Sequence, residues 1–488
     1  SIRGSVTLTA PNGGEIWNVG ASQNITWTRT GSFANVKLEY STNGFFDELQ
    51  TTLIVAATNA ALGTYAWTVP DAIGNQLKVR VSDASNSIVT DVSDANFNIK
   101  GVLALLAPNG AETWIVGASQ NITWSRTGSI ANVKLEYSTD GGTTYPNTII
   151  VSTPAAAGSY AWTVADAIGT QLRIRVSDVA DASVLDTSNA NFSIKGSVTL
   201  TAPNGGEAWA VGTANNITWT KTGSIANVKL EYSADGGTTY PNLIAGSTDA
   251  ATGSFSWTIP DSLTSIAKVK ITDALDATVY DISNANFKII GSLNLTSPNG
   301  GEGWLVGSSH NITWAMTGSI ANVKLEYSTN GGTSYDYLIT ASTPGGGLSY
   351  FWTIPDTVSI NVKVKISDAT DANVNDVSAA VFKIQAGFTI TAPNGGEVWS
   401  VGTAQNITWN KVGSAPNVRL EYSTNGGLDY ADIIASTANT GTYSWTIPDS
   451  ISSSVRVRVS DTNDALAVDV SDGNFKIRGS FTLTSPNG

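Results

Sequence analysis

The stretch Ser224-Ile-Ala-Asn-Val-Lys-Leu-Glu-Tyr232 sets Val228, Leu230 and Tyr232 on one face and Lys229 and Glu231 on the other. Alternation with period two is the mark of a half-buried β-strand. Its neighbours behave alike. Val198 and Leu200 alternate with Thr199 and Thr201, and Ile217 and Trp219 with Asn216 and Thr218. Further along, Phe255, Trp257 and Ile259, then Val269 and Ile271, then Phe287 and Ile289, fall in the same phase. Turn sequences separate these runs: PNGG at 203–206, KTGS at 221–224, SADGG at 233–237, IPDS at 259–262 and DALDA at 273–277. With Tyr240–Ala245 as a further strand, the pattern predicts about seven short strands and no helix, an immunoglobulin-like or fibronectin-III-like β-sandwich. Each sheet of a sandwich buries one face and wets the other, as the alternation requires.

The nine residues recur unchanged from Ser129 and from Ser319. NITW begins at Asn24, Asn121, Asn216, Asn311 and Asn406, at spacings of 97, 95, 95 and 95 residues. PNGGE, or PNGAE in the second copy, begins at Pro11, Pro108, Pro203, Pro298 and Pro393, and the 15 tryptophans divide three to a copy. The sequence therefore predicts an all-β chain of five tandem sandwiches over residues 4–100, 101–195, 196–290, 291–386 and 387–478, with 479–488 as the first strand of a further repeat. Self-similarity at this period is too long for an ordinary solenoid. Only Gly196 interrupts the passage from Phe192-Ser-Ile-Lys into Ser-Val-Thr-Leu200. Linkers that short predict a semi-rigid, elongated rod. Repeat sequence at both edges leads us to expect a longer array, which segment 479–488 would simply continue; strand addition of that segment into a neighbouring subunit is the alternative.

Hydrophobic residues make up 41% of the 488, enough for real cores, while charged residues make up only 13%. The net charge of −13 argues against a nucleic-acid partner, which needs clustered Lys and Arg. With no cysteine, disulfides and zinc–thiolate sites are excluded. No apolar run approaches the length of a membrane span in this window.

His310 is the sole histidine, at a position held elsewhere by Gln23, Gln120, Asn215 and Gln405. The usual catalytic triads and histidine-ligated metals are thus out of reach. Small sandwiches without a large insertion offer no obvious cleft, so no enzyme activity is expected. The strongest site candidates are Asp-rich segments before the last strand of each copy. They hold Asp178, Asp181 and Asp186; Asp273, Asp276 and Asp281; Asp368, Asp371 and Asp376; and Asp461, Asp464 and Asp469, while the first copy keeps Asp83 and Asp91 around Asn86. Clustered oxygens suit Ca²⁺. An immunoglobulin-like topology sets these loops at the incoming pole, facing Glu207 and Asp235 of a preceding copy, so a calcium-stiffened joint is one expectation. Turn capping by the same carboxylates is the other. Asn24, Asn121, Asn216, Asn311 and Asn406 each open an N-glycosylation sequon, as do Asn191 and Asn294, though an ordinary strand explains NITW equally. Trp219 and Trp257 share the phase of core aliphatics; Trp209 is less clearly placed. Lys229 and Glu231 alternate on an outward face, as do Lys268 and Lys270, and Glu–Lys pairs are expected across them where the two strands are neighbours.

The ordered series PNGGE-x-W-x-x-G, NITW, VKLEYS, W-T-[VI]-P-D and VSD…NFxI resembles the immunoglobulin-like module of the yeast killer-toxin-resistance cell-wall glucan proteins and the Ser/Thr-rich GPI-anchored membrane family, found in tandem in bacterial and archaeal surface proteins. The resemblance spans all five copies. STDGGTTY, Ser138–Tyr145, is also similar to the Asp-box hairpin of sialidases, a structural element. These likenesses imply a building block rather than a chemistry. The leading expectation is a structural protein at the cell surface or outside the cell, part of a stalk, fibre or filament that self-associates or adjoins further repeats. The alternatives are an adhesin or carbohydrate-binding array acting by avidity on cell-surface glycans, and the non-catalytic tail of a large secreted enzyme.

Overall fold

The computed structural model describes residues 4–485. It is five repeated β-sandwiches in tandem, with nine strands in each. In module one these are β1 (Ser5–Ala10), β2 (Ile16–Asn18), β3 (Ser22–Thr30), β4 (Asn35–Ser41), β5 (Thr51–Asn59), β6 (Thr64–Thr68), β7 (Gly74–Asp83), β8 (Asn86–Val92) and β9 (Phe97–Lys100). The strands of the other modules group within Val102–Lys195, Ser197–Ile290, Ser292–Gln385 and Gly387–Arg478. One sheet is β1-β3-β6; the other is β2-β9-β7-β4-β5, with β8 also pairing β7. Two strands go beyond the expected seven. β2 has only three residues, too few to show a period, and is held by parallel pairing to β9, Trp17 opposite Ile99. The short β8 runs antiparallel to β7, Asp91 opposite Val81.

Between the sheets, Phe97, Phe192, Phe287, Phe382 and Phe475 are fully buried, each worth about 1.5–3 kcal/mol of apolar transfer. Trp17 meets Trp67 edge to face at 5.9 Å and Phe97 at 5.1 Å. Trp27 is buried and donates its indole N–H to the Ala60 carbonyl at 3.0 Å. The half-buried Trp209 joins the same cluster, against Trp257 and Phe287. The tryptophans are core, and no row of them faces solvent.

Local sequence is explained by local bonds. In PNGGE, Glu15 accepts the amides of Asn12 and Gly13 at 2.7 and 2.8 Å, closing the loop on itself. Gly13 has φ 133° and lies so close to Ala95 that an added Cβ would sit 2.6 Å from that methyl. Gly14 faces open space, and its counterpart is the one glycine of the motif that varies, to Ala111 at φ 68°. In STDGGTTY, Asp140 accepts the amide and hydroxyl of Thr144, and Ser138 accepts the Gly142 amide.

The charge pair expected in module three is brought opposite but not closed. Glu231 and Lys270 are in register, yet Glu231 pairs with Lys229 at 2.6 Å while the Lys270 ammonium lies over the Tyr280 ring. Where the cation is arginine the cross-strand pair forms: Arg80–Glu39, Arg175–Glu136 and Arg458–Glu421. The guanidinium also covers a hairpin ring, Phe45, Tyr145 or Tyr430, serving both partners with its planar fork.

Candidate functional site: the joints between modules

A single residue connects each module to the next: Gly101, Gly196, Gly291 or Ala386. At the three glycines an added Cβ would fall 2.6–2.8 Å from Ile130, Ile225 or Ile320 of the following turn. At the fourth joint alanine replaces the connector glycine, and Ala415 replaces the isoleucine; both are buried. The methyl gained on one side is offset by the side chain shortened on the other, as close packing demands.

Two polar contacts flank this connector. In the first, an aspartate of one module accepts the amide of a serine in the next: Asp71 from Ser129 at 2.9 Å, Asp166 from Ser224 at 3.0 Å, Asp261 from Ser319 at 2.9 Å, Asp356 from Ser414 at 2.6 Å. Each serine hydroxyl donates to the second oxygen of the same carboxylate. Beside it, Val19 and Ile73, Val116 and Ile168, Val211 and Leu263, or Val306 and Val358 pack on the glycine before that serine. In the second, a lysine of the last strand reaches the middle aspartate of the next module's Asp-rich loop. The pairs are Lys100–Asp181 at 3.0 Å, Lys195–Asp276 at 2.9 Å, Lys288–Asp371 at 2.7 Å and Lys383–Asp464 at 2.7 Å.

The lysine is not the same position throughout. Lys100 and Lys195 end their strands, whereas the strands ending in Ile290 and Gln385 carry the lysine two residues earlier. Residues two apart share a strand face, so the ammonium still arrives at the aspartate. Gln385 adds a hydrogen bond to Asp464 at 2.6 Å.

The Asp-rich loops do lie at the incoming pole, but what faces them is cationic. Glu207 and Asp235, expected there, are turned to their own loops: Glu207 accepts from Asn204 and Gly205, and Asp235 from Ser233 and Thr239. The three aspartates of each loop are drawn to three different partners. Asp178, Asp273, Asp368 and Asp461 accept the amide two residues on, capping the turn. Asp181, Asp276, Asp371 and Asp464 meet the lysines. Asp186, Asp281, Asp376 and Asp469 cross to the first strand and accept the amides of Leu105, Leu200, Leu295 and Ile390 at 2.6–2.7 Å. Those amides sit where the first strand slips register against its neighbour. Among the described residues no three acidic or histidine side chains converge as a metal site would need, so the calcium geometry expected of these loops is not assembled.

Hydrogen bonds from Ser183 and then Lys100 hold Asp181 down to about 2; those from Thr278 and Lys195 do the same to Asp276, also to about 2. Lys288 lowers Asp371. Burial works to raise Asp464, but Gln385 and Lys383 outweigh it and leave it below the usual carboxylate range. The Ser319 hydroxyl lowers Asp261.

The sequon asparagines Asn24, Asn121, Asn216, Asn311 and Asn406 are exposed on the middle strand of the three-stranded sheet, and Asn294 is exposed as well. Asn191 is half-buried and accepts from Arg173 at 2.8 Å. His310 stacks on Trp304, ring centres 4.5 Å apart, and shares a hydrogen bond with Ser308. Residues 479–485 of the closing segment form no strand, Phe481 and Leu483 being exposed; 486–488 lie outside the described residues.

Sequence reasoning missed the joint lysines and the Asp–Ser contact. The signal was present in the repeats: Pro/Ala-Asp and Gly-Ser recur in every copy, but nothing local says that one belongs to the outgoing pole and the other to the incoming pole.

No family model matches the chain, and no curated protein matches it. Solved structures do. Sidekick-1 immunoglobulin domains 1–5 are 10% identical, with 98% of this chain and 99% of that one covered and a TM-score of 0.22. The N-terminal eight Ig domains of Down Syndrome Cell Adhesion Molecule isoform 1.30.30 are 11% identical, with 98% and 71% covered and a TM-score of 0.23. The fibronectin(III)-like modules of Clostridium thermocellum CbhA are 22% identical, with 39% and 94% covered and a TM-score of 0.16. At such identities and TM-scores the likeness carries nothing finer about this chain.

Proposed function

We propose that this chain is a non-enzymatic spacer of the extracellular or cell-surface kind, a stretch of stalk or fibre whose working parts are its joints. The observation that carries the reading is the recurrence of one joint four times through different residues. The lysine moves by two positions and still meets the same aspartate, and a Gly–Ile pair becomes Ala–Ala with its packing kept. Such compensation is expected where the relative placement of modules matters and not where they are beads on a string. An array of this type transmits position along its length. The resemblance to modules of cell-wall and surface proteins belongs to the same reading. The test is orientation across one joint. Residual dipolar couplings on a fragment covering residues 101–290 should fit a single alignment tensor for both modules. Two independent tensors would overturn the spacer reading.

A further inference from the structure

Module four departs from its siblings on the side of the sandwich where the two sheets end in edge strands, Tyr337–Pro344 and Ser349–Thr353. Between them lies a cleft of about 500 Å³, lined in part by Tyr337, Tyr350, Phe351 and Asp336. Small sandwiches alone gave no reason to expect it. Phe351 is 68% exposed. The residues at its register position in the other modules are Ala66, Ala161, Ser256 and Ser444, each opposite its sequon asparagine. Tyr337 is 41% exposed and stacks on Tyr327 at 4.8 Å. Opposite the equivalent tyrosines of the other modules stand Thr52, Asn147, Asn242 and Ala431.

Two exposed rings cost solubility and add nothing to a core that four sister modules complete without them. We propose that this cleft is a carbohydrate-binding site for neutral oligosaccharides, found in module four alone. The chemistry is that of sugar recognition. Flat ring faces take the apolar C–H faces of pyranoses, while the Tyr337 and Tyr350 hydroxyls and the Asp336 carboxylate, which also accepts from Ser334, offer the hydrogen bonds hydroxyls need. No lysine or arginine lines the cleft, which disfavours phosphate, sulfate or uronate ligands. Its opening between two edges admits the middle of a chain as well as an end.

The sister modules supply variants that the framework already tolerates. Titration of the five-module chain with β-1,3-gluco-, β-1,4-gluco-, chito- and manno-oligosaccharides, read by ligand-observed NMR, should find saturable binding to at least one. The double variant Phe351→Ala, Tyr337→Asn should keep the melting temperature and bind that sugar about tenfold or more weakly, a loss of ~1.4 kcal/mol or more. Absence of saturable binding across the panel, equal binding by the double variant, or binding only of a proline-rich peptide run in parallel would each overturn the assignment.

Discussion

At the scale of single residues, the repeat is its own control. Gly205 and Gly206 are adjacent, both at positive φ, 128° and 87°, and differ most in what surrounds them. A Cβ on Gly205 would meet Ala285 at 2.5 Å, while one on Gly206 meets nothing within 4 Å. Gly205→Ala should therefore destabilise module three by about 2–3 kcal/mol, backbone strain plus displacement of Ala285. Gly206→Ala should cost about 1 kcal/mol, the left-handed term alone. Thermal unfolding of the chain carrying each change distinguishes them, and equal effects would contradict the packing argument. Asp281 presents a second case. Its carboxylate holds the Leu200 amide where the first strand slips register. Asp281→Ala leaves that amide without its partner beside a buried side chain, at about 1–3 kcal/mol. Because each aspartate of these loops already has a protein partner, a strong chelator should leave the melting temperature of the chain unchanged. A fall on chelation would restore calcium to the joints.

At the scale of elements, strand phase was legible because alternation reports burial directly: Val228, Leu230 and Ile217, read as inward, are all fully buried. What was illegible was non-local. β2 exists because Trp17 finds Ile99 some eighty residues on, and no window of sequence holds that information. The Asp-rich loops were singled out for their clustered carboxylates; the turn-capping role read for them is seen at the first aspartate of each, while the acidic neighbours Glu207 and Asp235 expected across the joint are turned to their own loops. A lysine two residues before a strand end looks like any solvated charge until the next module closes on it. The pairing has a pH signature. Asp181 and Asp276 titrate near 2 when folded, against about 3.9 unfolded. Depressed carboxylates stabilise above the unfolded value, and the contribution fades as pH falls through the folded one. The larger share belongs to the loops' own Ser183 and Thr278 and the next to Lys100 and Lys195, so the joints should lose the lysine share between pH about 4 and 2. Asp181 and Asp276 are 43% and 35% exposed in their side chains, so screening limits each pair to about 0.2–1 kcal/mol. Lys195→Met should reduce the response at the second joint alone, leaving the part due to Thr278, measured as the pH dependence of inter-module couplings. A joint as acid-sensitive without the lysine as with it would show that the pair is incidental.

At the scale of the whole molecule, stiffness has to come from several weak contacts acting across one residue of linker. The ion pair alone is too exposed to fix an angle, and the Asp–Ser bonds alone permit rotation about their axis. The buried connector, pressed on isoleucine or matched as Ala386 with Ala415, closes one side of the joint, while clefts of about 400, 390 and 260 Å³ remain beside the second, third and fourth joints, so the connector packing limits swing only together with the two polar contacts. With three separate contacts at each joint, removal of one should soften it and separation of all three should free it. Four residues Gly-Ser-Gly-Ser inserted after Gly196 keep every strand and every core but part Asp166 from Ser224 and Lys195 from Asp276. Small-angle scattering should show the parent chain as an elongated particle whose profile a single conformer fits. The insertion variant should need an ensemble bent at the middle joint, with a shorter mean end-to-end distance and unchanged melting of the modules. Two indistinguishable profiles would mean that the parent joint is already free, and the recurrent contacts would then be consequences of proximity and not its cause.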